Sequence, residues 1–541
     1  MSLESSETKA ETPGTRTLTH PVTRLGWIPI VEFGALLALM FAFAGDPTPM
    51  VNEAHYLVKA KHFWDPSWCD ADLFAASGKA HATYYLTLGW LTRFASLTTT
   101  AWVGRIIGWA LLSLGLMKLC RALTFPPFLS LIVLVIWAAG IQHGNLAGEW
   151  VFGGTEAKVP AYGLLLVGVA EMVRRRWSVA WMWMGGASAF HVLVGGWSVL
   201  AGMLVFGWTE IGRRRGLHEQ PPEELGSESL RKRFFTPGLF VGGALALLGL
   251  VPALWLTSGV APDQSIASAK TYVFFRISHH LLPSTFPWHW FLRHGVLVVM
   301  AVTAACCVVR SFGRIHDTGH ERPAPVFLVD SWRRFLVFVL GAVLIAVIGL
   351  AIGFMPGLDP DWVARLLRYY WFRSTDVMVP LLLAMSVAEI IRRSWNANAS
   401  AGSAARWWRL ASVGCAAVAS MLFVWSSIER MWLAVPPSTS NRLLGFDSGA
   451  TAAEQRKVHD DWIRVCDFIR FCTPEDEVFL TPRHQQTFKW YAQRAEVVNF
   501  KDVPQDAASL LEWSRRFQDV FPQRLGTMRV TIQYSKLREY R

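Results

Sequence analysis

A small set of side chains has the types and spacing to do chemistry on a charged substrate. Asp46 and Glu53 lie in a polar stretch, Asp46 to Tyr85, directly after the first long apolar segment, with His55 and Lys61 beside them. Glu149, Glu156 and Lys158 fall in a second polar stretch, HGNLAGEWVFGGTEAK, from His143 to Lys158. Lys270, Arg276, His279 and His280 fall in a third, and Arg368, Arg373 and Asp376 in a fourth that contains RYYWFRSTD. A carboxylate can take a proton from an attacking hydroxyl or ligate a metal ion. Arginine holds phosphate through paired N–H groups. Carboxylates in two stretches and cations in two others therefore point to chemistry on a phosphorylated substrate. Each residue also has a plainer use. Asp46 caps a turn, Glu53 is a solvated loop carboxylate, and Glu149 and Glu156 favour a helix start. Lys158, Arg368 and Arg373 anchor an interface, and Lys61 faces lipid headgroups.

The elements that must position these groups are membrane helices. The chain is 52% hydrophobic and 17% charged, with 27 Trp and 33 Phe. Soluble domains carry about 25% charged residues. The net charge of +12 raises the question of nucleic acid. The basic residues, however, sit in short runs between apolar segments: Arg174 to Arg176, Arg213 to Arg215, Arg231 to Arg233, and Arg392-Arg393. That is the positive-inside pattern of a polytopic membrane protein, and it excludes nucleic acid as the partner. About eleven apolar segments can be drawn from residue 26 to residue 428. Residues 1–24 read as a disordered cytoplasmic tail. Residues 25–430 read as the transmembrane domain, with a large first outer loop, 45–100, that carries an interfacial helix near Tyr84 to Phe94. The two arginine runs at 174–176 and 213–215 must share a side. The segment between them therefore turns back, with Gly195-Gly196 as the expected turn and two short limbs. Residues 431–541 read as a small α/β domain outside, from helical periodicity over 460–471 and 507–521 and strand-like runs at 477–480 and 497–500. The expected fold is thus an all-α membrane bundle with a small C-terminal extracytoplasmic α/β domain. It lies in the cytoplasmic (inner) membrane with the N-terminus inside.

The run from Val51 to His62, VNEAHYLVKAKH, just after the first membrane segment, resembles the first-loop signature of the C-type (GT-C) membrane glycosyltransferases. That superfamily includes protein mannosyltransferases and aminoarabinose transferases. The layout is similar too: about eleven helices, a long first outer loop, a second acidic outer loop, and an outer C-terminal domain. The resemblance implies an inverting enzyme that moves a sugar from a polyprenyl-phosphate donor to a glycan, lipid or protein acceptor. It gives the general base to an acidic residue of the first loop, here Glu53, with Asp46 second. Asn52 stands where many members have the first acid of a pair. His55, Lys61, Lys158, Arg368 and Arg373 are the expected substrate and phosphate ligands. Some members need a divalent metal, Mg or Mn, and Glu149 and Glu156 are the acids for such an ion. Two other classes stay open: a transporter, suggested by the broken hairpin, and a sensor that uses the C-terminal domain.

Overall fold

The computed structural model describes residues 26–50, 52–215, 229–314, 326–355, 357–396, 403–433 and 450–521. The expected disorder of residues 1–24 lies outside them. The apolar segments form helices α1 (Trp27–Ala44), α3 (Leu97–Ala122), α4 (Leu129–Gly144), α5 (Lys158–Val173), α6 (Trp177–Phe190), α7 (Val192–Arg214), α8 (Pro237–Trp255), α9 (Trp288–Arg314), α10 (Val326–Phe354), α11 (Arg373–Asn396) and α12 (Ser403–Ile428). A polar helix, α2 (Glu53–Trp64), follows α1. Among the described residues eight of these helices are long and apolar enough to cross a membrane. The chain is an integral membrane protein. The shorter α4, α5 and α6 complete the bundle. α11 is its most enclosed span, with 89% of its apolar window buried, against 17% for α8, which faces outward.

Charge separates the two ends of the bundle. At one end Glu171 meets Lys118 at 2.9 Å, Arg334 donates to the Val173 carbonyl at 2.7 Å, and Arg233 meets Glu210 at 2.8 Å. This basic face gathers the arginine runs. The opposite end, the loop face, carries α2, the other polar stretches and the C-terminal segment.

The expected turn at Gly195-Gly196 is corrected. The chain breaks four residues earlier, at His191 (φ −146°, ψ 101°), and α7 runs unbroken through both glycines for 23 residues, a full span. Gly195 is needed for contact: a Cβ there would lie 2.0 Å from the Ser188 hydroxyl. Backbone contact also joins α6 and α8, where a Cβ on Gly185 would meet the Gly242 carbonyl at 2.0 Å. Small residues at such crossings let membrane helices pack closely.

The interfacial segment is two short pieces, Ala82–Leu86 and a 3-10 turn Leu88–Arg93, with Leu86, Trp90 and Phe94 exposed. The expected α/β character of the C-terminal domain shrinks to one parallel pairing, β1 (Val478–Phe479) with β2 (Ala495–Glu496). The rest of its described regular structure is helical: α13 (Ala452–Cys472), opened by a Thr451–Glu454 capping box, a short helix at Phe488–Ala492, and α14 (Ala507–Val520). Asp506 begins α14 and ties the domain to the first loop. One oxygen accepts from Ser509 N at 2.8 Å and the other from Gly78 N at 2.8 Å.

Candidate active site at the loop face

The first and second polar stretches meet at Glu53, the first residue of α2. Its carboxylate is fully buried. Arg105, about two turns into α3, donates Nε and Nη2 to its two oxygens, each at 2.6 Å. The backbone N–H groups of Met50 (2.7 Å) and Thr155 (2.9 Å) complete four bonds. Four bonds use the acceptor capacity of a carboxylate. Arg105 also donates to the Asp46 carbonyl, so one guanidinium holds both ends of the α1–α2 connection. Asp46 itself is buried. Beside it Phe41, Gly45, Pro47, Thr48, Thr98 and Trp102 line an open crevice of about 540 Å³ between α1 and α3.

Next to Glu53 lies a network of alternating charge. Lys158, at the start of α5, stands 3.3 Å from both Glu149 and Glu156. The second Glu149 oxygen meets Arg373 Nε, at the start of α11, at 3.0 Å. All four residues are buried. Trp150 lies under Lys158 (4.2 Å) and Tyr370 under Arg373 (4.3 Å), so each cation is faced by an aromatic ring as well as by carboxylates. Burial raises the affinity of Glu156 for its proton, and Lys158 and Asn52 pull back. Asn52, standing where an acid was expected, thus gives Glu156 an amide partner. The second stretch is held in place from α11, where Asp376 accepts from the N–H groups of Leu146 (2.6 Å), Ala147 (3.0 Å) and Glu149 (3.2 Å).

A chain of rings extends the network. Arg373 Nη1 lies 2.7 Å from His191 Nε2, the His191 ring stands 5.1 Å from that of His81, and Tyr56 of α2 lies 3.4 Å from His81 Nε2. Burial pushes His81 down to about 3, so it is neutral and acts as a dipole.

The structure therefore brings together Glu53, Asp46, Glu149, Glu156, Lys158 and Arg373. Arg368 stands apart. It is half-buried at the end of the helix Pro360–Leu367, and its guanidinium meets no carboxylate among the described residues. His55 and Lys61 face the C-terminal domain instead: His55 lies 3.7 Å from Asp502, and Lys61 donates to the Gln493 side-chain oxygen at 2.6 Å. Glu149 and Glu156, as placed, do not suit a divalent metal, because Lys158 and Arg373 already occupy the cation positions between and beside them. Among the described residues no group of three His, Cys, Asp or Glu is arranged to hold one.

Arg105 and His191 carried a signal in the sequence, as ionisable groups in or beside apolar spans, where they are costly unless paired. The partner of Arg105 was not legible, because it lies 52 residues earlier. Tyr56 and His81 looked like ordinary loop residues, and Asn52 stood out only as the departure from an acidic pair.

The pattern of a family described as a domain of unknown function (DUF6798) matches residues 460–520. No curated protein matches the chain. Among solved structures the chain is similar to the crystal structure of ArnT from Cupriavidus metallidurans bound to undecaprenyl phosphate. The identity is 13% and the TM-score 0.44, over 91% of this chain and 89% of that one. The family match covers the C-terminal domain alone, and the structural likeness is too loose to bring an activity to this chain.

Proposed function

We propose that this protein is a membrane glycosyltransferase that moves a sugar from a polyprenyl-phosphate donor to an acceptor on the outer face of the membrane. The observation that supports it most is the convergence of Lys158, Glu149 and Glu156 of the second polar stretch with Arg373 of a distant segment at the loop face. The positive-inside rule makes the basic face cytoplasmic and the loop face external. The donor's lipid tail enters through the crevice beside Asp46, which opens between two membrane helices. Its phosphate takes a place at Lys158 and Arg373, with Arg368, which stands apart from them, as a lesser contact. Glu156 is the proton acceptor, since burial weakens it as an acid and so strengthens it as a base. It takes the acceptor hydroxyl's proton as the oxygen attacks the anomeric carbon. The bond from that carbon to phosphate oxygen breaks on the opposite side, and polyprenyl phosphate leaves with its electron pair. Lys158 and Arg373 neutralise the charge that develops there. One displacement inverts the anomeric carbon.

Glu53 serves in this reading as the anchor that joins α2 to the second stretch, because Arg105 and two N–H groups engage its lone pairs. Asp46 flanks the donor's path. A transporter would concentrate such charge at mid-membrane, whereas Lys158 and Arg373 begin their helices at the loop face.

The test is transfer from a pool of polyprenyl-phosphate-linked sugars by the purified protein. Wild type should transfer sugar, and Glu156→Gln should lose about 100-fold or more. Full activity in Glu156→Gln would overturn the assignment of the base. Absence of transfer in wild type, with sugar flux across proteoliposomes, would overturn the class.

A further inference from the structure

The C-terminal domain meets the first loop through a second buried ion cluster, to which the mechanism assigns no step. Lys489, on the short helix Phe488–Ala492, is fully buried. It lies 3.2 Å from Asp72 and 2.7 Å from Asp502, and it also pairs with Glu496. Asp72 belongs to the first loop, and the oxygen that faces Lys489, Oδ2, also accepts from Glu496 N at 3.0 Å, at the β1–β2 pairing. Asp502 reaches His55 of α2, and Gln493 takes bonds from Lys61 of α2 (2.6 Å) and from Trp68 Nε1 (3.0 Å). α2 is thus gripped by the domain through His55 and Lys61. On its other side it carries Asn52 beside Glu156, Glu53 on Arg105, and Tyr56 against His81.

We propose that Lys489 is a positioning residue: by drawing Asp72 and Asp502 together it clamps the C-terminal domain onto the first loop and so fixes α2 at the candidate active site. The argument is one of charge. Asp72, Glu496 and Asp502 repel one another in a dry space, and Lys489 is the cation among them. The groups that face Glu496 are Lys489, Asp502, Asp72 and the Thr481 hydroxyl, with His55 of α2 behind Asp502. Burial, with Asp502 and Asp72 adding and Lys489 opposing, pushes Glu496 up to about 7. Its folded value lies above the ordinary 4.5, so the docked form is favoured when Glu496 holds its proton and is weakened as pH rises through 7. The proposal rests on the transferase reading only for the purpose that α2 serves.

The test is hydrogen exchange of the full-length protein in lipid nanodiscs, corrected for intrinsic rates, over residues 53–64 and 488–503. In wild type the opening equilibrium should fall about tenfold from pH 8 to pH 6, as expected for one proton. Glu496→Gln, which keeps the shape and removes the titration, should make it flat. Lys489→Met should raise opening of both segments about tenfold or more at pH 6 while α3 and α5 stay protected, and Lys489→Arg should restore much of the protection. Unchanged α2 exchange in Lys489→Met, or a wild-type pH dependence in Glu496→Gln, would overturn the proposal. Should Lys489→Met lose protection throughout the bundle, the Glu496→Gln profile decides alone. Exchange is read without any transfer, so a failed transferase assay leaves this result standing. If transfer is found, its wild-type pH profile should lose one ionisation in Glu496→Gln.

Discussion

The network around Lys158 and the network around Lys489 use the same residue types at similar depth, and α2 touches both. They differ in charge ratio. Lys158 and Arg373 share Glu149 and Glu156, two cations to two carboxylates. Lys489 stands among Asp72, Glu496 and Asp502, one cation to three. A phosphate that approaches the first finds cations it can win from their carboxylates. One that approaches the second finds excess negative charge. Burial of ions therefore does not by itself mark an active site; what separates a site from a joint here is whether the cations can be shared with a ligand.

The comparison can be broken most sharply at Arg105, which supports α2 from the side of the first network. Arg105→Met leaves Glu53 buried and uncompensated, and should cost about 3–5 kcal/mol of stability, read as a large drop in the thermal unfolding midpoint. An unchanged midpoint would mean that the Glu53 anchor does not hold the two polar stretches together. Arg373→Ala should be nearly as severe but in function, lowering transfer by about 100-fold or more while the midpoint moves less. A stability loss with transfer intact would make the first network a joint like the second.

Smaller changes sharpen the contrast. Asn52→Asp places a second carboxylate beside Glu156. If Glu156 is the base, transfer rises with pH as it loses its proton, and the variant should move that limb upward by about one pH unit. An unmoved limb would separate Asn52 from the base. Arg368, half-buried and without a carboxylate partner among the described residues, should contribute least. Arg368→Ala should lower transfer about tenfold or less, as for a single contact of ~1 kcal/mol. A greater loss would place the donor phosphate nearer Arg368 than Lys158.

The bundle was legible because membrane spans are written in long apolar runs and their polarity in arginine. The hairpin turn was misplaced because glycine has two uses. The pair at 195–196 looked like a turn, but Gly195 serves close packing against Ser188, and the break falls at a histidine whose own Nδ1 accepts from Val194 N to start α7. In the C-terminal domain the runs at 477–480 and 497–500 had the composition of strands, yet pairing is confined to two residues on each side. Val497 and Val498 are instead buried in a small core with Trp513 and Phe517. Among the candidate residues, sequence order grouped Glu53, His55 and Lys61 as neighbours. α2 parts them, because residues two and eight positions beyond Glu53 lie on other sides of a 3.6-residue helix. Glu149, Glu156, Lys158 and Arg373 were legible as charges near helix ends, but their convergence depends on how α5 and α11 pack. Lys489 gave no signal, since a lysine in a short polar segment is ordinarily solvated.

The most direct test is the affinity for polyprenyl phosphate itself, measured on the protein in nanodiscs for wild type, Lys158→Met and Arg373→Ala. Wild type should bind it, and each variant should weaken binding about tenfold or more, the loss expected for a hydrogen bond to a charged group. Equal affinity in all three would contradict the claim that this network holds the carrier phosphate.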